Sequence, residues 1–165
     1  TEGSARRRSR KADLFVSGYG AAADAHHLTA PRPDGSGLEA AIGTALAQAG
    51  LKTKDIVFVN AHGTSTRDND RAEGCALLRI FGQELKFLST KGYTGHTLGA
   101  AGAIEAIFTA LALRHGWVPA NIGFEDVDEE IGRAPVAAKT AISGKAALST
   151  SLAFGGNNAA VLITR

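Results

Sequence analysis

The sequence predicts an α/β fold in which helices cover a sheet, and two observations support this prediction. An apolar run, a glycine-bearing loop and a helix-like stretch follow one another three times between residues 13 and 116. Residues 146–164 then contain two apolar-biased runs separated by paired glycines, which favours an antiparallel hairpin at the end of the chain. In layered α/β folds the polar loops gather at strand ends, so we expect the active groups there.

Length and composition restrict the class of protein. The 165 residues are 44% hydrophobic and 21% charged, which is typical of one domain with its own core. The uncharged run at residues 92–104 contains four glycines and several polar side chains, and this composition is unsuited to about 20 lipid-facing residues. We therefore predict no membrane span. The net charge of +2 is too small to indicate nucleic acid as a partner.

The first twelve residues are distinguished by their positive charge. A basic arm over residues 1–12 precedes a domain at residues 13–165, and its charge comes from Arg6, Arg7, Arg8, Arg10 and Lys11. Charge runs near a terminus are usually solvated and frayed, and docking to an acidic partner is the alternative. Because the chain contains no methionine, Thr1 either follows a removed initiator or begins a piece of something longer.

The single cysteine, Cys75, excludes an internal disulfide framework and is compatible with a reducing compartment. No apolar segment follows the basic residues at the start, so no secretory signal is predicted. These observations predict a cytoplasmic protein. Cys75 falls within a helix-like stretch and is expected to be an inert packing residue.

The first three elements follow from apolar spacing. Residues 13–20 (DLFVSGYG) predict a strand that ends in a tight Gly-Tyr-Gly turn, and a long loop over residues 21–37 follows. Residues 36–49 predict a helix that ends at Gly50, because one face carries Leu38, Ala41, Ile42, Ala45, Leu46 and Ala49. The continuous apolar run at residues 56–59 predicts a buried strand.

The next helix is predicted to begin with Asp68 as its cap and to end at Gly82. Its packing face is predicted to consist of Ala72, Cys75, Leu78 and Phe81. Phe87 and Leu88 predict a short strand, and residues 98–114 predict a helix closed by Gly116.

The remainder of the chain contains one segment without a clear pattern and then the hairpin. Residues 117–144 show no periodicity, and the acidic stretch at residues 125–130 is expected to be a solvated loop. Residues 146–153 and 159–164 predict the two strands of the hairpin, joined by residues 154–158.

Two histidines lie in unusual loops that directly follow predicted strands. His62 belongs to NAHGTST at residues 60–66, and His96 belongs to STKGYTGHTLGAAG at residues 89–102. Two neutral imidazoles can each donate one N–H bond to a single oxygen that becomes anionic, such as an enolate or a tetrahedral oxyanion. We therefore predict that His62 and His96 share one active centre.

Polar residues near the histidines suit this chemistry. Lys91 would keep the imidazoles neutral by disfavouring a further positive charge, and Glu105 could pair with that lysine. Thr64 and Thr66 supply hydroxyl donors for a long polar substrate arm. The glycines after Phe154 let its ring and its backbone N–H face a cavity. No metal is predicted, because neither histidine has the spacing of a zinc motif.

Three segments of the chain resemble those of a known family. NAHGTST, STKGYTGHTLGAAG and AFGGNN, together with GYG…DAHH…TAP near the start, look like the C-terminal half of a β-ketoacyl-acyl carrier protein synthase. These synthases are the thiolase-like condensing enzymes of fatty acid and polyketide synthesis. The resemblance runs from about residue 13 to residue 165. It implies the C-terminal half of a thiolase-like fold, with a mixed sheet flanked by helices.

The resemblance also implies roles for the residues around the two histidines. By this resemblance His62 and His96 assist malonyl decarboxylation and stabilise the resulting enolate. Lys91 and Glu105 are the lysine and glutamate associated with them.

The same resemblance implies how substrate is held. Thr64 and Thr66 match the threonines that hydrogen-bond the phosphopantetheine arm of acyl carrier protein, which is the implied partner. Phe154 matches the phenylalanine that gates the acyl pocket and whose backbone N–H contributes to the oxyanion hole. No bound cofactor is implied besides that substrate arm. The segment STSLAFGGNN departs from the more usual SNSFGFGG(T/N)N, and this departure concerns the shape of the acyl pocket.

Residue types separate the related subfamilies. Starter-unit synthases have histidine and asparagine at the two positions, and thiolases place a catalytic cysteine in their last motif. Here both positions are histidine and the last motif has Ala153, so decarboxylative elongation is favoured. A noncatalytic partner of the chain-length-factor type and another thiolase-fold acyltransferase remain as alternatives.

The family's nucleophilic cysteine belongs to an N-terminal half that this sequence lacks. Cys75 does not match it, so the chain alone is expected to be inactive. A second polypeptide, or the same one upstream, would supply the cysteine half in a homodimer or heterodimer. We expect an exposed apolar surface where the halves meet.

Overall fold

The computed structural model describes residues 2–9 and 11–165 of the chain. Besides two short 3-10 helices at Thr53–Asp55 and Leu98–Ala100, the elements in chain order are α1 (Glu2–Arg7), β1 (Phe15–Ala23), α2 (Ser36–Ala49), β2 (Ile56–Asn60), α3 (Arg67–Phe81), β3 (Phe87–Leu88), α4 (Lys91–Thr94), α5 (Ala101–His115), β4 (Trp117–Val118), β5 (Thr140–Ala141), β6 (Ala146–Ala153) and β7 (Asn157–Thr164).

Five strands form one mixed sheet in the order β1-β7-β6-β2-β3. Strand β2 runs parallel to both β3 and β6, whereas β7 runs antiparallel to β6 and β1. The prediction of a mixed sheet that ends in an antiparallel hairpin is confirmed. Asn157 and Asn158 belong to β7 and not to the turn, so the hairpin turn is shorter than predicted.

Helices cover both faces of this sheet. Successive residues of a strand point to opposite faces, so Val59 packs with residues of α2 and α3, whereas Phe58 packs with Leu113 of α5. Leu148 and Ala147 of β6 divide between the two cores in the same way. Because both faces are covered, the strand at residues 56–59 is apolar throughout.

The Gly-Tyr-Gly segment lies within β1, so the prediction of a tight turn there is wrong. Both glycines face α2 at very short range. A Cβ atom on Gly18 would lie 2.1 Å from the Ala45 carbonyl oxygen, and one on Gly20 would lie 1.9 Å from that of Ala41. The glycines therefore allow the closest approach of β1 to α2.

Helix α2 has the predicted bounds and buried face, and it ends at Gly50 in the left-handed conformation. Helix α3 differs in two respects from its prediction. Thr66 precedes its first residue, so Asp68 lies inside the first turn. The buried face includes Ala72, Glu73, Ala76 and Leu77, so the predicted face was displaced by about one residue and Cys75 is only partly buried.

Residues 117–144 contain a second, two-stranded antiparallel sheet made by β4 and β5. The acidic stretch between these strands is mostly exposed, as predicted. One of its carboxylates, that of Glu130, forms an ion pair with Arg71 of α3. The backbone N–H of Val136 donates to the Phe87 carbonyl, so this segment covers the outer edge of β3.

Residues 2–7 of the basic arm form the short helix α1, so this part of the arm is exposed, as expected, but helical where a frayed segment was predicted. Thr1 and Arg10, which belong to that predicted arm, lie outside the described residues. No helix in the described part of the chain has the length and apolar character needed to cross a membrane.

Helix α5 presents an apolar face to solvent as well as the face that packs on the sheet. Ile107 is 59% exposed, Phe108 is 37% exposed and Leu111 is 38% exposed. Large apolar side chains rarely line one side of a helix without a covering partner. This stripe is an exposed apolar surface of the kind that the sequence predicted.

Candidate active site

The two histidine loops start from neighbouring parallel strands. Asn60 at the end of β2 pairs in register with Leu88 at the end of β3, so the loops leave the same edge of the sheet. The rings of His62 and His96 meet there with their centroids 5.4 Å apart and nearly perpendicular, at 86°. The structure thus brings together the two histidines that the sequence singled out.

Lys91 holds His62 through two of the three protons of its ammonium group and directs the third to Glu105. It contacts His62 Nδ1 at 3.1 Å and also donates to the His62 carbonyl and to Glu105 Oε1. An ammonium group has three donors and no acceptor, so His62 Nδ1 must accept. The remaining proton of the neutral imidazole is therefore on Nε2.

Burial is the main cause of the lowered pKa of His62. Loss of solvent lowers the pKa of His62 to about 3, and the charges of Lys91 and His96 act in the same direction. His62 is therefore neutral at physiological pH, as the sequence led us to expect. The sequence assigned this effect to the lysine, whereas desolvation is the larger cause.

His96 is also held through its Nδ1 atom, in this case by a backbone group. The backbone N–H of Leu98 donates to His96 Nδ1 at 3.2 Å, which leaves the proton of the neutral ring on Nε2. Leu98 itself adopts the left-handed conformation, with φ of 52°. Unlike His62, His96 is exposed.

Glu105 lies one helical turn inside α5 and is buried beside Lys91. Burial raises the pKa of Glu105, while the hydrogen bond and charge of Lys91 oppose that rise. Its second oxygen, Oε2, has no hydrogen-bond partner among the described residues. The predicted pairing of Lys91 with Glu105 is present, and it places the charge of the lysine beside His62.

Sequence reasoning missed a second buried carboxylate, that of Glu73 on α3. Its two oxygens accept the backbone N–H groups of His62, at 2.8 Å, and of Gly63, at 2.9 Å. The hydroxyl of Thr150 on β6 donates to the same group at 2.7 Å. Burial raises the pKa of Glu73. A charged residue between Ala72 and Ala76 on the buried face was the available signal.

Asn60 connects the loops to α5, although the sequence assigned it no role. Its side-chain amide donates to the Glu105 carbonyl at 3.1 Å and to Thr90 Oγ1 at 3.2 Å. Its oxygen accepts the backbone N–H of Thr90 at 3.2 Å. These bonds fix the end of β2 against the start of the second histidine loop.

A cavity of about 650 Å³ adjoins His96 and the loop that carries His62, although His62 itself is not among the described residues that line it. Thr64, Arg67, Lys91, His96 and Arg133 are among the residues that line it. The hydroxyls of Thr64 and Thr66 lie 2.9 Å apart, so one donates to the other in this structure. Each still has capacity for a further hydrogen bond to a ligand.

Phe154 lies apart from this cavity, at the tip of the hairpin between β6 and β7. It is 76% exposed and does not belong to the described residues that line the cavity. The neighbouring Gly155 donates its N–H to the Leu28 carbonyl at 2.7 Å, and Asp24 accepts from Asn158 at 2.7 Å. The structure anchors the hairpin tip to the loop after β1 but does not join Phe154 to the histidines.

This arrangement suits stabilisation of a single negative charge. The partners on Nδ1 leave Nε2 of each neutral ring as the donor, so neither ring has to change its tautomer before it binds an anionic oxygen. Within the described residues, no group of three histidine, cysteine or acidic side chains is placed to hold a metal ion.

Comparison with known proteins supports one family. The family model for the β-ketoacyl synthase C-terminal domain matches residues 15–125. The mitochondrial 3-oxoacyl-[acyl-carrier-protein] synthase of Arabidopsis thaliana is 42% identical over 96% of this chain, but the chain covers only 36% of that relative.

Comparison with solved structures also identifies ketosynthases as similar proteins. The ishigamide ketosynthase/chain length factor superposes with a TM-score of 0.91 at 34% identity, over 98% of this chain and 40% of its own. AntDE:AntF, a type II PKS acyl-carrier protein in complex with its ketosynthase, gives a TM-score of 0.92 at 26% identity, over 99% of this chain and 41% of its own. The chain thus spans about two fifths of the proteins it matches.

Proposed function

This chain belongs to the β-ketoacyl synthase family as its C-terminal domain, and we propose that it is the histidine-bearing portion of a 3-oxoacyl-acyl carrier protein synthase. Joined to a cysteine-bearing portion, it catalyses the decarboxylative Claisen condensation of malonyl-acyl carrier protein with an acyl thioester. The observation that carries this proposal is the pair of adjacent imidazoles whose Nε2 atoms have no hydrogen-bond partner among the described residues.

In the proposed decarboxylation step, Nε2–H groups of His62 and His96 bind the thioester oxygen of the malonyl group. The bond between the α-carbon and the carboxylate breaks, its electron pair moves into the enolate, and CO2 leaves. Because the oxygen accepts N–H hydrogen bonds from both rings, the developing charge on it is stabilised without transfer of a proton. Lys91 and Glu105 keep His62 in the required tautomer.

In the proposed condensation step, the enolate carbon attacks the acyl thioester carried on the cysteine of the absent portion. The new carbon–carbon bond forms as the cysteine thiolate leaves. The backbone N–H of Phe154 would serve the second oxyanion, and this role requires the hairpin tip to approach the acyl group when the assembly is complete.

The exposed face of α5 is the proposed contact with the cysteine-bearing portion. Ile107, Phe108 and Leu111 form an apolar stripe that the described residues leave partly exposed, and the chain covers only about two fifths of the matched relatives. Burial of such a stripe favours association. The complete assembly would be a homodimer or a heterodimer.

Acyl carrier protein is the proposed donor of both thioesters. Thr64 and Thr66 would hydrogen-bond its phosphopantetheine arm, and the solved relative AntDE:AntF joins a ketosynthase to an acyl-carrier protein. No other cofactor is proposed. We propose cytoplasmic location for the assembly.

Similarity to the ishigamide ketosynthase/chain length factor supports a second candidate, a noncatalytic partner of chain-length-factor type. A noncatalytic partner does not require a buried histidine whose pKa is lowered. The retained Lys91, Glu105 and His62 cluster therefore favours the catalytic proposal. A further thiolase-fold acyltransferase would transfer the acyl group without release of CO2.

Product identification tests the proposal. The chain is combined with its cysteine-bearing portion, or the uninterrupted polypeptide is used where the gene encodes one, and malonyl-acyl carrier protein and acyl thioester are added. Mass spectrometry should detect an elongated 3-oxoacyl product together with CO2. Acyl transfer without CO2, or no turnover by an intact assembly, would contradict the proposal.

A further inference from the structure

Ser89 lies where the two histidine loops touch. Its hydroxyl donates toward the carbonyls of Gly63, at 3.2 Å, and of His62, at 3.4 Å. The same oxygen accepts the backbone N–H of Lys91 at 3.3 Å. The Ser89 hydroxyl therefore links the backbone of Lys91 to the backbone of His62 and Gly63. The side chains of Lys91 and His62 are also in contact.

The loops approach each other as closely as atoms allow at this point. Gly63 has φ of 44°, and a Cβ atom on it would lie 2.5 Å from Ser89 Cβ. Any larger residue at position 63 would force the loops apart. A change in the position of Ser89 is therefore transmitted directly to the loop that carries His62.

Ser89 itself is held by a residue from a third segment. Its backbone N–H donates to Asn121 Oδ1 at 2.7 Å, and Asn121 follows β4. The backbone N–H of Asn121 donates to the Val136 carbonyl, and Val136 in turn donates to the Phe87 carbonyl on β3. Beyond the end of β3, the Asn121 side chain thus accepts a backbone N–H that a neighbouring strand would accept within a sheet.

We propose that Ser89 and Asn121 are positioning residues that set the separation of the imidazoles of His62 and His96. This inference rests on the proposed function, in which both rings must reach one oxygen. His62 is tied to Lys91 by its side chain, but His96 is exposed and is anchored by a single backbone bond from Leu98. The backbone between Ser89 and His96 therefore determines where the His96 ring lies.

The test concerns the side-chain oxygen of Asn121, which accepts the backbone N–H of Ser89. Asn121→Ala removes the acceptor for the Ser89 N–H, whereas Asn121→Asp keeps an acceptor oxygen of the same reach. Asp55→Ala is the matched control, because Asp55 Oδ2 accepts a backbone N–H from Lys52 at 2.8 Å at the opposite end of β2. All three are compared in the complete assembly.

The first readout separates kcat from KM for malonyl decarboxylation. Asn121→Ala should lower kcat by about tenfold or more, because small displacements of positioned groups are costly, and should leave KM within about twofold. Asn121→Asp and Asp55→Ala should both retain kcat within about threefold of the unaltered assembly. Equal loss in Asn121→Ala and Asn121→Asp, or no loss in Asn121→Ala, would overturn the proposal.

The second readout is independent of turnover. Imidazole ¹⁵N and ring proton NMR spectra of this chain report the tautomers and the mutual contact of His62 and His96. Asn121→Ala should weaken the cross-relaxation between the two rings, and Asn121→Asp should restore it. Unchanged ring contacts in Asn121→Ala would refute the positioning role. If the rings respond as expected but no assembly releases CO2, the proposed function fails while the positioning role stands.

Discussion

At the scale of single residues, the chemistry of the site depends on which ring nitrogen carries the proton. The ammonium group of Lys91 occupies Nδ1 of His62, and the backbone N–H of Leu98 occupies Nδ1 of His96. Both rings are therefore donors through Nε2. A carboxylate at Nδ1 of either ring would reverse this arrangement, but the buried glutamates instead bind backbone groups or the lysine.

Burial of a neutral His62 makes the stability of the chain depend on pH. Its pKa is lowered to about 3, so between that value and the ordinary 6.5 the unfolded chain binds a proton that the folded chain does not. Stability should therefore decrease as the pH falls below about 6.5, by up to about 1.4 kcal/mol per pH unit from this group.

The variant His62→Gln tests this linkage, because glutamine does not titrate. Urea unfolding is measured between about pH 7 and pH 5 for both chains. We expect the free energy of unfolding to decrease less steeply with acidification in His62→Gln. Parallel slopes would show that His62 is accessible to protons in the folded chain.

Glu73 shows what residue types alone do not reveal. The sequence assigned roles to His62, His96, Lys91 and Glu105 because these residues lie in or near loops that follow strands. Glu73 lies in the middle of a helix eleven residues after His62, and its partners are backbone N–H groups. Backbone donors are the same for every sequence, so the pattern of side chains can indicate a buried charge on α3 but not its partners.

At the scale of elements, the strong periodicities predicted structure well. Helix α2 has its predicted bounds, because six apolar residues share one face and Gly50 ends it. The apolar run of β2 was equally clear. The face of α3 was displaced because Glu73 is buried while Leu78 and Phe81 are only partly so. The β1 glycines resembled a turn, since their contact with α2 is tertiary.

The close approach of β1 to α2 predicts a large difference between two glycine substitutions. Gly20→Ala should destabilise the chain by about 2–3 kcal/mol, because its Cβ would collide with backbone atoms of α2 that cannot move independently. Gly43→Ala, on the exposed side of α2 with no atom within 4 Å, should stabilise it by about 0.5–1 kcal/mol.

Urea denaturation of both variants measures these changes in the free energy of unfolding. The Gly43→Ala variant is the control for the general effect of alanine within this pair of elements. A Gly20→Ala chain as stable as the unaltered one would mean that β1 and α2 are further apart than the structure has them.

At the scale of the whole molecule, helices cover both faces of the sheet, but helix α5 has an apolar face that is partly exposed to solvent. Phe108→Lys should leave the fold of this chain intact, because Phe108 is 37% exposed. It should weaken association with the cysteine-bearing portion by about tenfold or more, since a charge would be buried at the contact without a partner.

Val127→Lys is the matched control for that prediction, because Val127 is a 43% exposed apolar residue in the acidic loop, away from α5. Sedimentation or surface binding of the two portions gives the dissociation constant, and circular dichroism checks the fold. Equal affinity for Phe108→Lys and Val127→Lys would place the contact elsewhere on the molecule.

In the proposed reaction His62 and His96 serve one anionic oxygen, and the rate of CO2 release from malonyl-acyl carrier protein by the complete assembly measures that role. His62→Ala and His96→Ala should each slow release by about 100- to 1000-fold, and the double variant should lose little more, because the two donors act as a unit. Release at the unaltered rate in either single variant would contradict the account.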